Sequence, residues 1–191
     1  MHEVPARTPL FTEHRWREEA VPCGFRSPSS LCSLWCSSCA SPCRCGGTIT
    51  AAEPVLAFRD VRYAGERFPG SAAVAARPGL EAGANCQLFA YAVLAHFGLA
   101  APPLRSSELW ADTAHSTRVD SPEPLDLVLV NATEEPWGAH VGVWAGDGQV
   151  LHLCAEIGRP AVWHRADFAD RERYSTLIGF KRVTTRLGST R

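Results

Sequence analysis

The chain from residue 51 to residue 191 predicts an α+β domain, with one helix packed against an antiparallel sheet of about five strands. Three observations carry that prediction. Residues 84–98 place apolar side chains at three- and four-residue spacing, the period of a helix with a buried face. Residues 125–183 hold five short runs rich in branched and aromatic residues, which read as strands. Between two of those runs stands Gly146-Asp147-Gly148, a hairpin signal.

Length and charge set the bounds. At 191 residues the chain can bury one sizeable core. A formal net charge of −1, without a basic cluster, argues against a nucleic-acid-binding surface. No apolar run approaches the length of a membrane span. The stretch His14-Arg15-Trp16-Arg17-Glu18-Glu19 is polar, and residues 30–42 are broken by serines, so neither resembles a secretory signal. The expected location is therefore cytoplasmic.

Residues 1–50 have a different composition. Six of the eight cysteines fall between Cys23 and Cys45, and three readings compete for them. A zinc site wants paired knuckles, but only Cys36 and Cys39 show that spacing. A disulfide cluster needs an oxidising compartment, for which no signal speaks. The favoured reading is an irregular, serine-rich extension with no metal and no cofactor, ending near Gly46-Gly47.

The remaining elements follow in order. Glu53 to Val61 reads as a short helix or an extended arm, and Ser71 to Ala76 as a small apolar segment stopped by Pro78-Gly79. In the central helix, Asn85 is a good N-cap, and Cys86, Phe89, Ala90, Val93, Leu94 and Phe97 share a face. Gly98 suits the left-handed position past the last turn, and Pro102-Pro103 forbid continuation. Ser106 to Asp112 reads as a capped helical turn, followed by a polar loop to Pro124. The strands are Leu125–Val130, His140–Ala145, Gln149–Cys154, Ala161–His164 and Leu177–Val183, with a helical turn at Asp167–Asp170.

Cys86 stands at the positive end of its helix, where the dipole favours a thiolate and lowers the thiol pKa. A buried structural cysteine is the other reading of this residue. A cysteine nucleophile needs a base, and the base needs a third group to orient it. His140 and His152 are the candidates. If the hairpin loop has three residues, Gly142 faces His152, and His140, Gly142, Trp144, Val150, His152 and Cys154 share one face. The histidines are then diagonal neighbours. A two-residue turn at Asp147-Gly148 would put them on opposite faces. Trp137, Trp144 and Trp163 read first as core aromatics and second as walls of a substrate groove.

Asn85-Cys86-Gln87-Leu88-Phe89, followed by residues 138–152 with His140-Val141-Gly142-Val143-Trp144 and His152, resembles the two signatures of the NlpC/P60 cysteine peptidases. Asp126-Leu127-Val128 resembles the strand that precedes the histidine in that family. The likeness spans roughly residues 80–183. It implies a papain-like core, with Cys86 as nucleophile, His140 as general base and His152 as the orienting group. The Cys86 backbone N–H would help to stabilise the oxyanion. Asn85, Gln87 and Trp144 are the residues then expected to touch substrate. The implied reaction is hydrolysis of an amide bond in a peptidoglycan-type peptide, often beside D-glutamate and diaminopimelate. Asn85 stands where the family has aspartate, and Gln87-Leu88 where it has Ser-Gly, which leaves the substrate class open. An intracellular amidase or acyltransferase, and a catalytically silent binding module, remain alternative readings.

Overall fold

The computed structural model describes residues 52–188. The cysteine cluster of residues 23–45, with its zinc and disulfide readings, and the boundary at Gly46-Gly47 lie outside the described residues.

Helices lead and strands follow. Short α1 (Ala52–Phe58) and α2 (Ala72–Ala76) precede the central α3 (Cys86–His96), and α4 (Ser106–Ala111) comes after it. The strands are β1 (Ser116–Val119), β2 (Leu127–Asn131), β3 (His140–Gly146), β4 (Gln149–Leu153), β5 (Pro160–His164) and β6 (Thr176–Val183). Between β5 and β6 lie α5 (Arg165–Ala169) and a 3₁₀ turn, Glu172–Tyr174. The sheet has six antiparallel strands in the order β1-β6-β2-β3-β4-β5, so β2 to β5 form a meander and β6 returns beside β2. The α+β expectation holds at this level. The expected sheet lacked β1, whose Ser116-Thr117-Arg118 reads as loop. It pairs with β6 at the sheet edge, where Thr117 and Arg118 face water.

Helix α3 is capped as its sequence implies. The Asn85 side chain accepts the Leu88 N–H at 2.8 Å. At the other end Gly98, at φ 77°, lets its own N–H reach Ala95 O and the Leu99 N–H reach Leu94 O. Phe89, Ala90, Val93 and Leu94 are fully buried. They form one core with Leu127, Leu129, Val141, Val143, Leu151 and Leu153 on one face of the sheet. The opposite face carries a second, smaller core of Val128, Val130, Val150, Phe168, Tyr174 and Phe180. Alternation along each strand produces this division.

The β3–β4 hairpin combines the two alternatives that the loop allowed. Its turn has two residues, Asp147 (φ 50°) and Gly148 (φ 77°), both left-handed as a type I′ turn requires. Gly146 pairs with Gln149, but Trp144 pairs with Val150 and Val143 with Leu151. Ala145 is thus an extra residue in a bulge, and the bulge restores the register of the three-residue loop. Among the described residues no helix is long and apolar enough to cross a membrane.

Candidate active site

His140 and His152 meet on the face of the sheet opposite α3. Val130, from the second core, pairs with His140 across β2 and β3. Restored by the bulge, the register brings Nε2 of His140 within 2.9 Å of Nδ1 of His152, with the rings nearly perpendicular at 88°. Gly142 makes the approach possible: a Cβ there would stand 2.5 Å from Val150 Cγ1 and 3.3 Å from His152 Cβ. The pair is roofed by aromatic rings. Tyr174 lies 4.9 Å from the His140 ring, and Trp163 and Phe168 lie 4.4 and 4.9 Å from that of His152.

Both imidazoles are held well below the ordinary histidine value. Burial is the main cause for each, and Arg173 acts further on His140 and the partner ring on His152. The pair is therefore neutral at pH 7, with one proton in the shared hydrogen bond. His152 Nε2 is buried and has no hydrogen-bond partner among the described residues.

Cys86 opens α3 and is half-buried. Its thiol stands beside the start of β3, where the Val141 N–H, one peptide from His140, is among the groups that favour its anion. The dipole reading expected a lowered pKa, and the structure corrects this. Burial pushes the thiol up, outweighing the N–H groups of Val141, Gln87 and Cys86 itself and the charge of Arg173. Among the described residues no hydrogen bond joins the Cys86 thiol to His140, so both groups rest neutral.

The residues expected to touch substrate have other partners. Asn85 commits its side-chain oxygen to the helix cap. Gln87 is buried, and its amide donates to Tyr91 Oη and Leu104 O, each at 2.8 Å. Trp144 is half-buried and packs edge-on against Phe180 at 5.5 Å. Cys154 is fully buried.

Three neighbours were not singled out from the sequence. Tyr63 pairs with Ala84 two residues before Cys86, and its phenol is pushed up by burial and then by Cys86. The Tyr174 phenol, pushed up to about 12 chiefly by burial, packs on His140. The exposed Arg173 acts on Cys86, His140, Tyr63 and Tyr174. Nothing in the local sequence marks these residues, because they reach the site through turns that only the fold closes.

Arg67 organises the approach to Cys86. It is buried, with no acidic partner among the described residues, and its guanidinium donates to four carbonyls: Gly83 at 2.7 Å, Ala73 at 2.9 Å, Arg77 at 2.7 Å and Gly79 at 2.9 Å. Its own carbonyl accepts the Asn85 N–H at 2.8 Å. One side chain thus holds the 73–83 segment against the start of the cysteine helix.

No protein-family model matches this chain, and no curated protein matches it significantly. Fold and site define an α+β domain with a cysteine at a helix start and a buried histidine pair on the adjoining sheet.

Proposed function

We propose that this domain is a cysteine hydrolase with a papain-like core of the NlpC/P60 kind, in which Cys86 attacks a peptide or amide carbonyl. The observation that carries the reading is the buried His140–His152 hydrogen bond, set one peptide from the N–H group beside the Cys86 thiol. A neutral imidazole is what a base needs before reaction.

The tautomer follows from the surroundings of His152. With His140 Nε2–H donating to His152 Nδ1, Nδ1 of His140 keeps a lone pair and can accept the thiol proton. His152 Nε2–H then lies among Trp163 and Phe168, where an N–H next to π-systems is tolerated better than a second lone pair. In the first step the Cys86 proton passes to His140, sulfur bonds to the carbonyl carbon, and the amine leaves with that proton. Water, deprotonated by His140, then cleaves the thioester and returns the thiol.

The substrate class, a peptidoglycan-type peptide, rests on the resemblance of residues 80–183. Incubation with a pool of stem peptides from digested peptidoglycan, read by mass spectrometry, is the test. Cleavage is expected with the wild-type chain and its loss with Cys86→Ser. An unchanged pool overturns the substrate, and cleavage that survives Cys86→Ser overturns the nucleophile. The raised thiol pKa favours a second reading, a groove that binds peptides without cleaving them. Such a protein would retain peptides from the pool unchanged.

A further inference from the structure

We propose that Phe68, Arg105 and Trp137 form a carboxylate-binding subsite on the rim of the Cys86 site. The inference rests on the reading of that site as one that takes peptides. The Arg105 guanidinium carbon lies 3.9 Å from the Phe68 ring centroid and 5.6 Å from that of Trp137. Both distances are within reach of a cation–π contact.

Three separate segments supply this cluster, and each is tied to the reactive groups. Phe68 follows Arg67, whose carbonyl holds the Asn85 N–H. Arg105 follows Leu104, whose carbonyl holds the Gln87 amide at 2.8 Å. Trp137 precedes His140 by three residues. Each member of the cluster thus stands within three residues of a group that belongs to, or is hydrogen-bonded to, the nucleophile helix or the histidine strand.

Arg105 has no acidic or carbonyl partner for its guanidinium among the described residues. The nearby Glu108 carboxylate accepts the Arg105 backbone N–H instead, at 2.7 Å. Aromatic rings engage the guanidinium on its flat surfaces, whereas its N–H donors lie in its plane along the edge. Stacking thus leaves the planar donor fork available, and that fork matches a carboxylate. Trp137 is 64 % exposed, yet its loop is fixed: Asn131 Nδ2 donates to Glu135 O at 2.7 Å and to Trp137 O at 3.3 Å. A large aromatic surface left in water on a fixed loop, next to a cation with no anionic partner among the described residues, fits a ligand bearing an acid beside an apolar group.

The test compares binding of N-acetyl-dialanine as its free acid and as its amide, followed by tryptophan fluorescence. Full-length Cys86→Ser protein is used, so the result does not depend on whether the thiol reacts. The acid is expected to bind about tenfold more tightly than the amide, through charge-assisted hydrogen bonds. Arg105→Gln is expected to abolish that preference while amide binding persists, and Trp137→Phe to remove most of the signal. Arg105→Lys keeps the charge without the stacked fork and is expected to lose most of the preference. Equal binding of acid and amide by the parent protein overturns the proposal. So does a preference that survives Arg105→Gln, which would transfer the role to Arg173.

Discussion

A methyl group at position 142 would meet Val150 Cγ1 at 2.5 Å, Leu151 O at 3.2 Å and His152 Cβ at 3.3 Å. Two of these neighbours are fixed in the sheet, so the strands must part or His152 must move. Gly142→Ala is expected to destabilise the fold by about 1–3 kcal/mol, the usual range for an overpacked core, as read by urea unfolding. It is also expected to break the imidazole–imidazole hydrogen bond, visible in the histidine NMR spectrum; an unchanged spectrum would contradict this. At this scale the sequence pointed to Cys86, His140 and His152, because helix capping and strand alternation are local rules. It could not show where Gln87 points. That amide is drawn inward by Leu104 O and Tyr91 Oη, seventeen and four residues further on.

Elements depend on one another where sequence rules alone leave a choice. The sequence offers a two-residue turn and a three-residue loop as alternatives, and the hairpin joins the turn of the one to the register of the other through a bulge at Ala145. Such a bulge is hard to foresee because its cause lies in tertiary packing: Val143 and Leu151 belong to the α3 core, which fixes their pairing. The 73–83 segment is equally non-local, since its apolar residues are mostly small alanines, none buried in α2, and it hangs on Arg67. Arg67→Ala would take the guanidinium donor from four carbonyls, of which Ala73 O keeps the Arg77 N–H. It is expected to destabilise the domain by about 2–4 kcal/mol, given the loss of several charge-assisted hydrogen bonds and a buried Gly83 carbonyl left without its donor. Arg67→Lys, a compact charge without the planar fork, should recover only part of this. Thermal or urea unfolding decides, and a wild-type stability for Arg67→Ala would remove Arg67 from its organising role.

Taken whole, the molecule places its largest core between α3 and the sheet and its histidine pair on the other face, under Phe168 and Tyr174. Both imidazoles are buried in a neutral state, with pKa values below the 6.5 expected of an exposed histidine. Between those values the unfolded chain binds more protons than the folded one, so stability rises with pH in this window. Unfolding free energy is expected to hold near neutral pH and to fall as pH drops below about 6.5, by on the order of a few kcal/mol near pH 4. His140→Ala and His152→Ala should flatten that slope, and a slope unchanged in both would contradict neutral burial. The fold class was readable from periodicity. Edge strand β1 was not, because nothing in its polar sequence separates it from a loop until β6 lies beside it.

The most direct measurement is the rate of Cys86 alkylation by iodoacetamide across pH, in the wild-type chain and in His140→Ala. Burial of the thiol implies little free thiolate at pH 7, so reaction there depends on transfer of the proton to His140. The expected result is a neutral-pH rate about 10²-fold faster in the wild type, in keeping with general-base assistance, and convergence of the two proteins at high pH. Identical profiles, both rising only at the pKa of an isolated buried thiol, would contradict a His140-assisted nucleophile and leave Cys86 a structural residue.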